Sequence, residues 1–406
     1  MVFLLTKKLK IKTMKGWIKS IRQSKSLIFM TITDGSQDYQ ITLKDGEYTI
    51  TGEPKVGASF ISEGVDSVTP RGLPEFVVSK IDIIGKSDDD YPIQPKAHSD
   101  DFLRTIPELR GRSKKFQAIW KVRHHLTQAI HQFFDKEGLY LYSGSLITSA
   151  DCEGAGETFD VKSEWIDAKL TVSSQLYGEI GARSLGKIYT FGPCFRAEKS
   201  ATKKHLSEFW MVEPEISWID LKGIIEFTEK FVKETISSVV DRSKYEFEQL
   251  GISIDHLTKV LESGWKVVSY DEICEKFGIK WGLDIGSEME QKIVEYYGVP
   301  TFITHYPKEL KPFYMLKDDR VAYCFDLIFP VIGELVGGSE RESSYEILEE
   351  SMIESGIDME KMQWYLDLRK WGSAPTSGFG LGFERLLMFI TKASKIHDVI
   401  PFPVSY

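Results

Sequence analysis

Between residues 9 and 85 the chain runs in short apolar segments: Leu27-Ile28-Phe29-Met30-Thr31-Ile32, Tyr39-Gln40-Ile41-Thr42-Leu43 and Phe76-Val77-Val78-Ser79-Lys80-Ile81. Turn formers separate them, at Asp34-Gly35-Ser36, Asp45-Gly46 and Arg71-Gly72. Runs of this length with Asp-Gly punctuation predict about five short strands. The period then changes. From Phe116 to Gly138 apolar residues fall at helical spacing (Phe116, Ile119, Trp120, Val122, Leu126, Ile130, Phe133, Phe134) and the run ends on glycine, which predicts a long helix. Beyond it, extended segments (Lys187 to Phe191, Glu208 to Val212) mix with helical ones (Leu221 to Val240, Ser287 to Tyr296), so this part of the chain is expected to be α+β.

Five or so strands in so short a span suit a barrel of the OB type, a shape that often presents a face and loops to single-stranded nucleic acid. We place that module at residues 1–85. The polar, proline-bearing run from Lys86 to Pro95 opens a linker over 86–112, and the α+β domain fills 113–406. Two domains also follow from length, because 406 residues exceed what one core usually holds. No apolar run approaches the ~20 residues that span a bilayer, and Met1 to Leu5 are too few for a signal-peptide core. The four cysteines (Cys152, Cys194, Cys274, Cys324) form no C-x-x-C pair. They read as free thiols of a cytoplasmic protein without a membrane partner.

A formal net charge of −9 argues against a nucleic-acid partner until its distribution is considered. From Met1 to Thr33 there are eight basic residues, Lys7, Lys8, Lys10, Lys12, Lys15, Lys19, Arg22 and Lys25, and no Asp or Glu. That local excess can meet a phosphate backbone, or it can be a solvated basic face.

Four segments carry candidate chemistry. Thr190 to Glu215 holds two extended runs around a basic loop with Lys199, Lys203, Lys204 and His205, which reads as a hairpin whose tip receives a polyphosphate. Ser377-Gly378-Phe379-Gly380-Leu381-Gly382-Phe383-Glu384-Arg385 has glycines at alternate positions, which let a ligand approach a strand closely before Arg385 opens a helix. Asp326 and Glu334 flank an apolar run, followed by Gly337-Gly338-Ser339-Glu340-Arg341. Two such acids are costly to bury unless they share a cation or form a hydrogen-bonded pair, and both readings stay open at this point. Asp151-Cys152-Glu153-Gly154 and Leu170 to Glu179 form the fourth.

The first two segments strongly resemble motifs 2 and 3 of the class II aminoacyl-tRNA synthetases, and the likeness runs from about Lys15 to the C-terminus. It implies a catalytic antiparallel sheet flanked by helices, preceded by an OB-fold barrel that binds the anticodon. By resemblance Arg196 holds the carboxylate of the activated amino acid and the α-phosphate of ATP, Phe209 stacks on adenine, and Arg385 grips the γ-phosphate. Glu198, His205, Leu206, Glu334 and Gly382 complete the expected ATP site, with Arg196, Arg385 and Glu334 as its catalytic members. Asp326 and Glu334 match the family's acids for Mg2+. Glu153 and Gln175 are expected to hold the substrate's α-ammonium. In the barrel, Gly16-Trp17-Ile18 and Phe29 to Gln40 carry the likeness; Phe29 is expected to stack on an anticodon base, or else to be core, and Gln40 and Glu75 to read base edges.

The fourth segment resembles the aspartate/asparagine branch. Aspartyl members carry a lysine three residues after the glutamine matching Gln175, where this chain has Gly178, and generally a shorter acid at Glu213. An acid and an arginine on one ligand suit a carboxamide, whose NH2 donates to Glu213 and whose oxygen accepts from Arg341. The resemblance therefore implies asparagine, ATP and tRNA(Asn) as partners, a two-step reaction through an adenylate, and a homodimer. An aspartyl enzyme, a relative that makes asparagine, and a non-catalytic RNA-binding paralogue are the alternatives. The chain departs from the family pattern at Ser145, in place of the motif 1 proline, and at His397 and Val404, where basic residues are usual.

Overall fold

The computed structural model describes residues 10–69, 72, 74–148, 158–165, 167–197 and 205–404, and the chain divides into two units, Met1–Ser113 and Lys114–Tyr406. The first contains β1 (Lys12–Gln23), β2 (Leu27–Thr33), β3 (Asp38–Lys44), β4 (Thr49–Thr51), β5 (Ser59–Val68) and β6 (Pro74–Gly85), followed by α1 (Asp100–Arg104) and α2 (Pro107–Arg110). The strands lie in the order β3-β2-β1-β5-β6-β4, and a parallel pairing of β3 with β6 closes the barrel. Its core is the inward set Ile18, Met30, Ile32, Ile41, Leu43, Phe60, Phe76, Val78 and Ile81. The segment expected as a linker carries α1 and α2 and buries Arg110. Where β1 crosses the end of β2, a Cβ on Gly16 would lie 2.2 Å from the Thr33 carbonyl oxygen, so only glycine permits this approach.

The second unit opens with α3 (Lys114–Lys136), the long helix expected from the spacing. Its strands are β7 (Tyr140–Leu141), β8 (Ile147–Thr148), β9 (Asp160–Lys162), β10 (Asp167–Leu170), β11 (Lys187–Phe195), β12 (Glu208–Ser217), β13 (Lys266–Ser269), β14 (Thr301–Thr304), β15 (Cys324–Phe329), β16 (Gly333–Glu340) and β17 (Thr376–Gly382). The helices after α3 are α4 (Gln175–Leu185), α5 (Leu221–Arg242), α6 (Lys244–Leu250), α7 (Asp255–Glu262), α8 (Tyr270–Phe277), α9 (Ser287–Tyr297), α10 (Tyr345–Glu354), α11 (Met359–Asp367) and α12 (Phe383–Thr391). Eight strands form one sheet in the order β13-β14-β15-β16-β17-β12-β11-β7, and β8, β10 and β9 form a small second sheet. The large sheet is antiparallel except at its two ends, where β13 pairs with β14 and β7 with β11 in parallel. The architecture is thus the helix-flanked antiparallel sheet, preceded by an OB-type barrel, that the sequence led us to expect.

Alternation along the central strands gives this sheet two unlike faces. Val212 and Ile216 on β12, Phe325 and Leu327 on β15, and Phe379 and Leu381 on β17 pack with α3, α5 and α12 into the main core. The intervening positions, Met211 and Glu213 on β12, Asp326 on β15 and Gly380 on β17, line an open cavity on the other face. β16 reaches the same result through a bulge. Leu327 pairs with Val336 but Ile328 pairs with Glu334, so Leu335 is the extra residue. Glu334 and Gly337, three apart and destined for opposite faces of a regular strand, therefore both line the cavity. Glu384 locks α12 in place by accepting from the Trp210 backbone N–H at 2.8 Å and pairing with Arg123 of α3 at 2.8 Å. Among the described residues no helix is long and apolar enough to cross a membrane.

Gly16→Ala is expected to destabilise the barrel by about 1–3 kcal/mol through overpacking against Thr33. Denaturant unfolding followed by Trp17 fluorescence checks this; an unchanged midpoint would show that β1 can move away at no cost.

Candidate active site

Six residues singled out in the sequence, Gln175, Arg196, Glu213, Asp326, Glu334 and Arg341, line one cavity of about 560 Å3. Arg196 follows the last residue of β11, and its backbone N–H donates to the Ser207 carbonyl at 3.0 Å, so the hairpin register sets its position. Its guanidinium carbon lies 5.4 Å from the centre of the Phe209 ring. Arg385, in the first turn of α12, donates to the Glu334 carbonyl at 2.7 Å and lies 3.8 Å from the Glu334 carboxylate. Gly382 caps the N-terminus of α12, and a Cβ there would touch the Arg385 side chain at 3.4 Å. His205 is exposed and Leu206 belongs to the main core, so neither side chain lines the cavity. Glu153 and Glu198 lie outside the described residues.

One end of the cavity is densely hydrogen-bonded. Glu213 accepts from the Ser173 hydroxyl, from the Ser174 backbone N–H at 3.0 Å and from the Thr190 hydroxyl at 3.1 Å. Burial still pushes its carboxyl above the ordinary carboxylate range, against these donors. Two residues on, Glu215 receives Nε of Arg341 at 3.2 Å and also Nη2, while Nη1 of Arg341 donates to the Ser339 hydroxyl at 2.6 Å. Three of Arg341's five N–H donors are engaged in this way, and the remainder can serve a ligand. Burial raises the Glu215 carboxyl to about 7 against the pull of Arg341. Burial alone would lower the Arg341 guanidinium, but Glu215 raises it, so the arginine keeps its charge. A Cβ on Gly178 would lie 3.2 Å from Glu215 Cγ and 3.4 Å from Ile188 Cδ1. A side chain at 178 would therefore press on Glu215, the acid that holds Arg341, and on Ile188, and both would have to give slightly.

The other end carries an acid pair. A Cβ on Gly337 would lie 3.3 Å from Glu334 Oε1 and 3.5 Å from Asp326 Oδ1, so both carboxylates converge above that glycine. Desolvation in the cavity, with repulsion from Asp326, raises the Glu334 carboxyl, although the side chain is 46% exposed. Glu290 on α9 accepts from the Glu334 backbone N–H at 3.2 Å, and burial together with the Glu334 charge raises its carboxyl to about 7. Lys311 pairs with Asp326 at 2.8 Å, which raises its ammonium well above the lysine range although burial alone would lower it. Excess negative charge facing a cavity suits a divalent cation with oxygen ligands. Among the described residues no group of three or more His, Cys, Asp or Glu could hold a metal by itself, so other oxygens would have to complete the shell.

Glu215, Lys311 and Glu290 were not anticipated. Glu215 was legible, because i and i+2 share a face of a strand, whereas Lys311 stands in an irregular segment and Glu290 on a helix remote in sequence. In the first unit, cross-strand register sets Arg22 opposite Phe29 and Phe29 opposite Thr42, with Thr31 opposite Gln40 in the next row. Glu75 accepts from the Thr42 hydroxyl, so Phe29, Gln40 and Glu75 gather on one side of the barrel. Phe29 is half-buried there and is not a member of the barrel core. Arg22 is an exposed basic neighbour that sequence reading counted only as charge.

A charged cavity on one face of an antiparallel sheet, floored by two glycine-bearing strands, is the setting of one synthetase class, and the family model for class II tRNA synthetases (D, K and N) matches residues 102–406; the chain belongs to that family. Relatives of this chain at 39–42% identity are asparagine–tRNA ligases. It is 42% identical to the asparagine–tRNA ligase of Mycoplasmopsis pulmonis, over 98% of this chain and 95% of that one. It is 40% identical to that of Desulfotalea psychrophila, over 96% and 94%. The crystal structure of asparaginyl-tRNA synthetase from Pyrococcus horikoshii complexed with asparaginyl-adenylate superimposes with a TM-score of 0.91 at 32% identity, covering 98% of this chain and 95% of that one.

The Glu215–Arg341 ion pair generates a pH prediction. The Glu215 carboxyl is raised, so its ionised form prevails above about 7 and is lost as protons are added below that value. Asparagine-dependent ATP–pyrophosphate exchange is accordingly expected to fall in kcat/KM as pH is lowered through about 7; a flat profile across that range refutes the assignment.

Proposed function

We propose that the chain joins asparagine to tRNA(Asn) in two steps at this cavity. The asparagine carboxylate attacks the α-phosphorus of ATP, expelling pyrophosphate and leaving the adenylate. The terminal ribose hydroxyl of the transfer RNA then attacks the acyl carbon, and AMP departs. Neither step needs a side-chain nucleophile. Holding the reactants in line and stabilising the charge that develops on phosphorus are the protein's contributions, and Arg196, which lines the cavity and whose charge acts on both Glu213 and Glu334, would do both. Arg385 would take the γ-phosphate and Phe209 the adenine ring.

The observation that carries the asparagine reading is Glu213 and Arg341 lining one cavity, with Gly178 packed tightly against Glu215. A carboxamide satisfies both, giving N–H to Glu213 and its oxygen to Arg341. Aspartate would set a second carboxylate against Glu213, and like charges about 4 Å apart at an effective dielectric of about 20 repel by about 4 kcal/mol. Gln175 lines the same cavity and would receive the α-ammonium. Asp326 and Glu334 fit Mg2+ together with phosphate oxygens, and the ion when bound would offset charge on the triphosphate. The exposed apolar residues Tyr140 and Leu141 on the edge strand β7, with Leu146 and Ile147 at the start of β8, suit a homodimer contact. The free thiols Cys194, Cys274 and Cys324 fit a cytoplasmic setting.

Pyrophosphate exchange with asparagine and aspartate in parallel is expected to proceed with asparagine alone; exchange with aspartate alone, or with neither, overturns the reading. For the barrel, Phe29→Ala and Arg22→Ala are each expected to raise the KM for transfer RNA in aminoacylation by about tenfold while exchange without transfer RNA stays unchanged. An unaltered KM in both variants would remove this face from RNA binding.

A further inference from the structure

The amide of Gln175 can present either its oxygen or its NH2 to the cavity, and only the oxygen can accept from an ammonium. What decides between them lies one helical turn away. Glu179, at i+4 on α4, puts Oε1 3.4 Å from Gln175 Nε2. The Glu179 side chain is fully buried. Its Oε1 also accepts from the Tyr365 hydroxyl at 2.8 Å, and its Oε2 from Arg369 Nη2 at 2.7 Å. Arg369 is held in turn by the Glu342 carbonyl at 2.9 Å, so the carboxylate cannot swing away. Burial alone would raise the Glu179 carboxyl, but Arg369, Arg341 and Arg183 together hold it below the ordinary range. An anion so held is an acceptor only, and a neighbouring amide must turn its NH2 toward it.

We infer that Glu179 is a positioning residue for amino-acid binding: by fixing Nε2 of Gln175 on its own side, it turns Oε1 of Gln175 toward the substrate ammonium. It touches no substrate. The inference rests on the asparagine reading above and adds to it a reason for a buried acid–tyrosine–arginine cluster behind a binding residue. A carboxamide at 179 would face Gln175 with either a donor or an acceptor, and the orientation would be lost.

The test compares asparagine with succinamic acid, which is asparagine with its α-amino group replaced by hydrogen. In Glu179→Gln, KM for asparagine in pyrophosphate exchange is expected to rise on the order of tenfold with KM for ATP unchanged. The inhibition constant of succinamic acid, which has no ammonium to lose, is expected to match that of the wild type. In a Gln175→Ala background, Glu179→Gln should add nothing, because the amide through which it acts is gone. Glu179→Asp keeps the charge that Arg369 requires while withdrawing the acceptor from Nε2, so it supplies the same comparison where Glu179→Gln does not fold. Equal loss of asparagine and succinamic acid binding, or additive effects with Gln175→Ala, overturns the inference in favour of a purely structural cluster. Wild-type exchange with asparagine tests the functional reading separately, since the role of Glu179 is judged only on ratios to wild type.

Discussion

A sheet with hydrocarbon packed against one face and charge enclosed on the other is the constraint from which the rest of the catalytic unit follows. Main-core residues of β12, β15 and β17 alternate with Met211, Glu213, Asp326 and Gly380, which face a cavity. Removing an ion from water costs several kcal/mol unless partners replace the solvent. At the amino-acid end the acids in and behind the cavity wall therefore have their own donors: two hydroxyls and a backbone N–H for Glu213, Arg341 for Glu215, Arg369 and Tyr365 for Glu179. The same bonds that offset desolvation also fix direction, which a binding site requires.

The two ends of the cavity solve that constraint differently. At the amino-acid end the charges are mutually satisfied, so the groups that meet substrate are held before it arrives, and preorganisation of this kind favours reaction because little reorients as charge develops. At the other end Asp326 and Glu334 converge on one spot while Glu290 stands behind them, and the carboxyls of Glu334 and Glu290 are raised by their neighbours' charge as well as by burial. Lys311 and Arg385 offset only part of it. An incompletely neutralised end suits a ligand that arrives with its own cation.

Much of the candidate site was legible because its segments are local. Arg196, Phe209 and Glu213 lie on or next to the strands of one hairpin, and Gly382 and Arg385 span one strand-to-helix turn, so local spacing located them while the family resemblance supplied their roles. Glu215 obeys the same arithmetic and could have been read beside Glu213. Arg22 opposite Phe29 depends on the register between β1 and β2, and that pairing contains an irregularity between Ile18 and Ser20 that no count along one strand reveals. Lys311 belongs to a stretch with no periodicity, and Arg369 reaches Glu179 across 190 positions of chain.

The sequence by itself determined the two-part organisation and the change of period from strand to helix, since both are written in spacing within a few residues, and its motifs carried the resemblance that named the family and the residue types at the cavity. Tertiary structure decided which charges meet. The bulge at Leu335 puts Glu334 on the face of Asp326, a side chain at Gly178 would crowd Glu215 and Ile188, and Glu179 faces Gln175 with Arg369 at its back. Each of these depends on distances between segments far apart in the chain, and such distances exist only once the sheet is assembled and the α3–α5 side has excluded water from its other face.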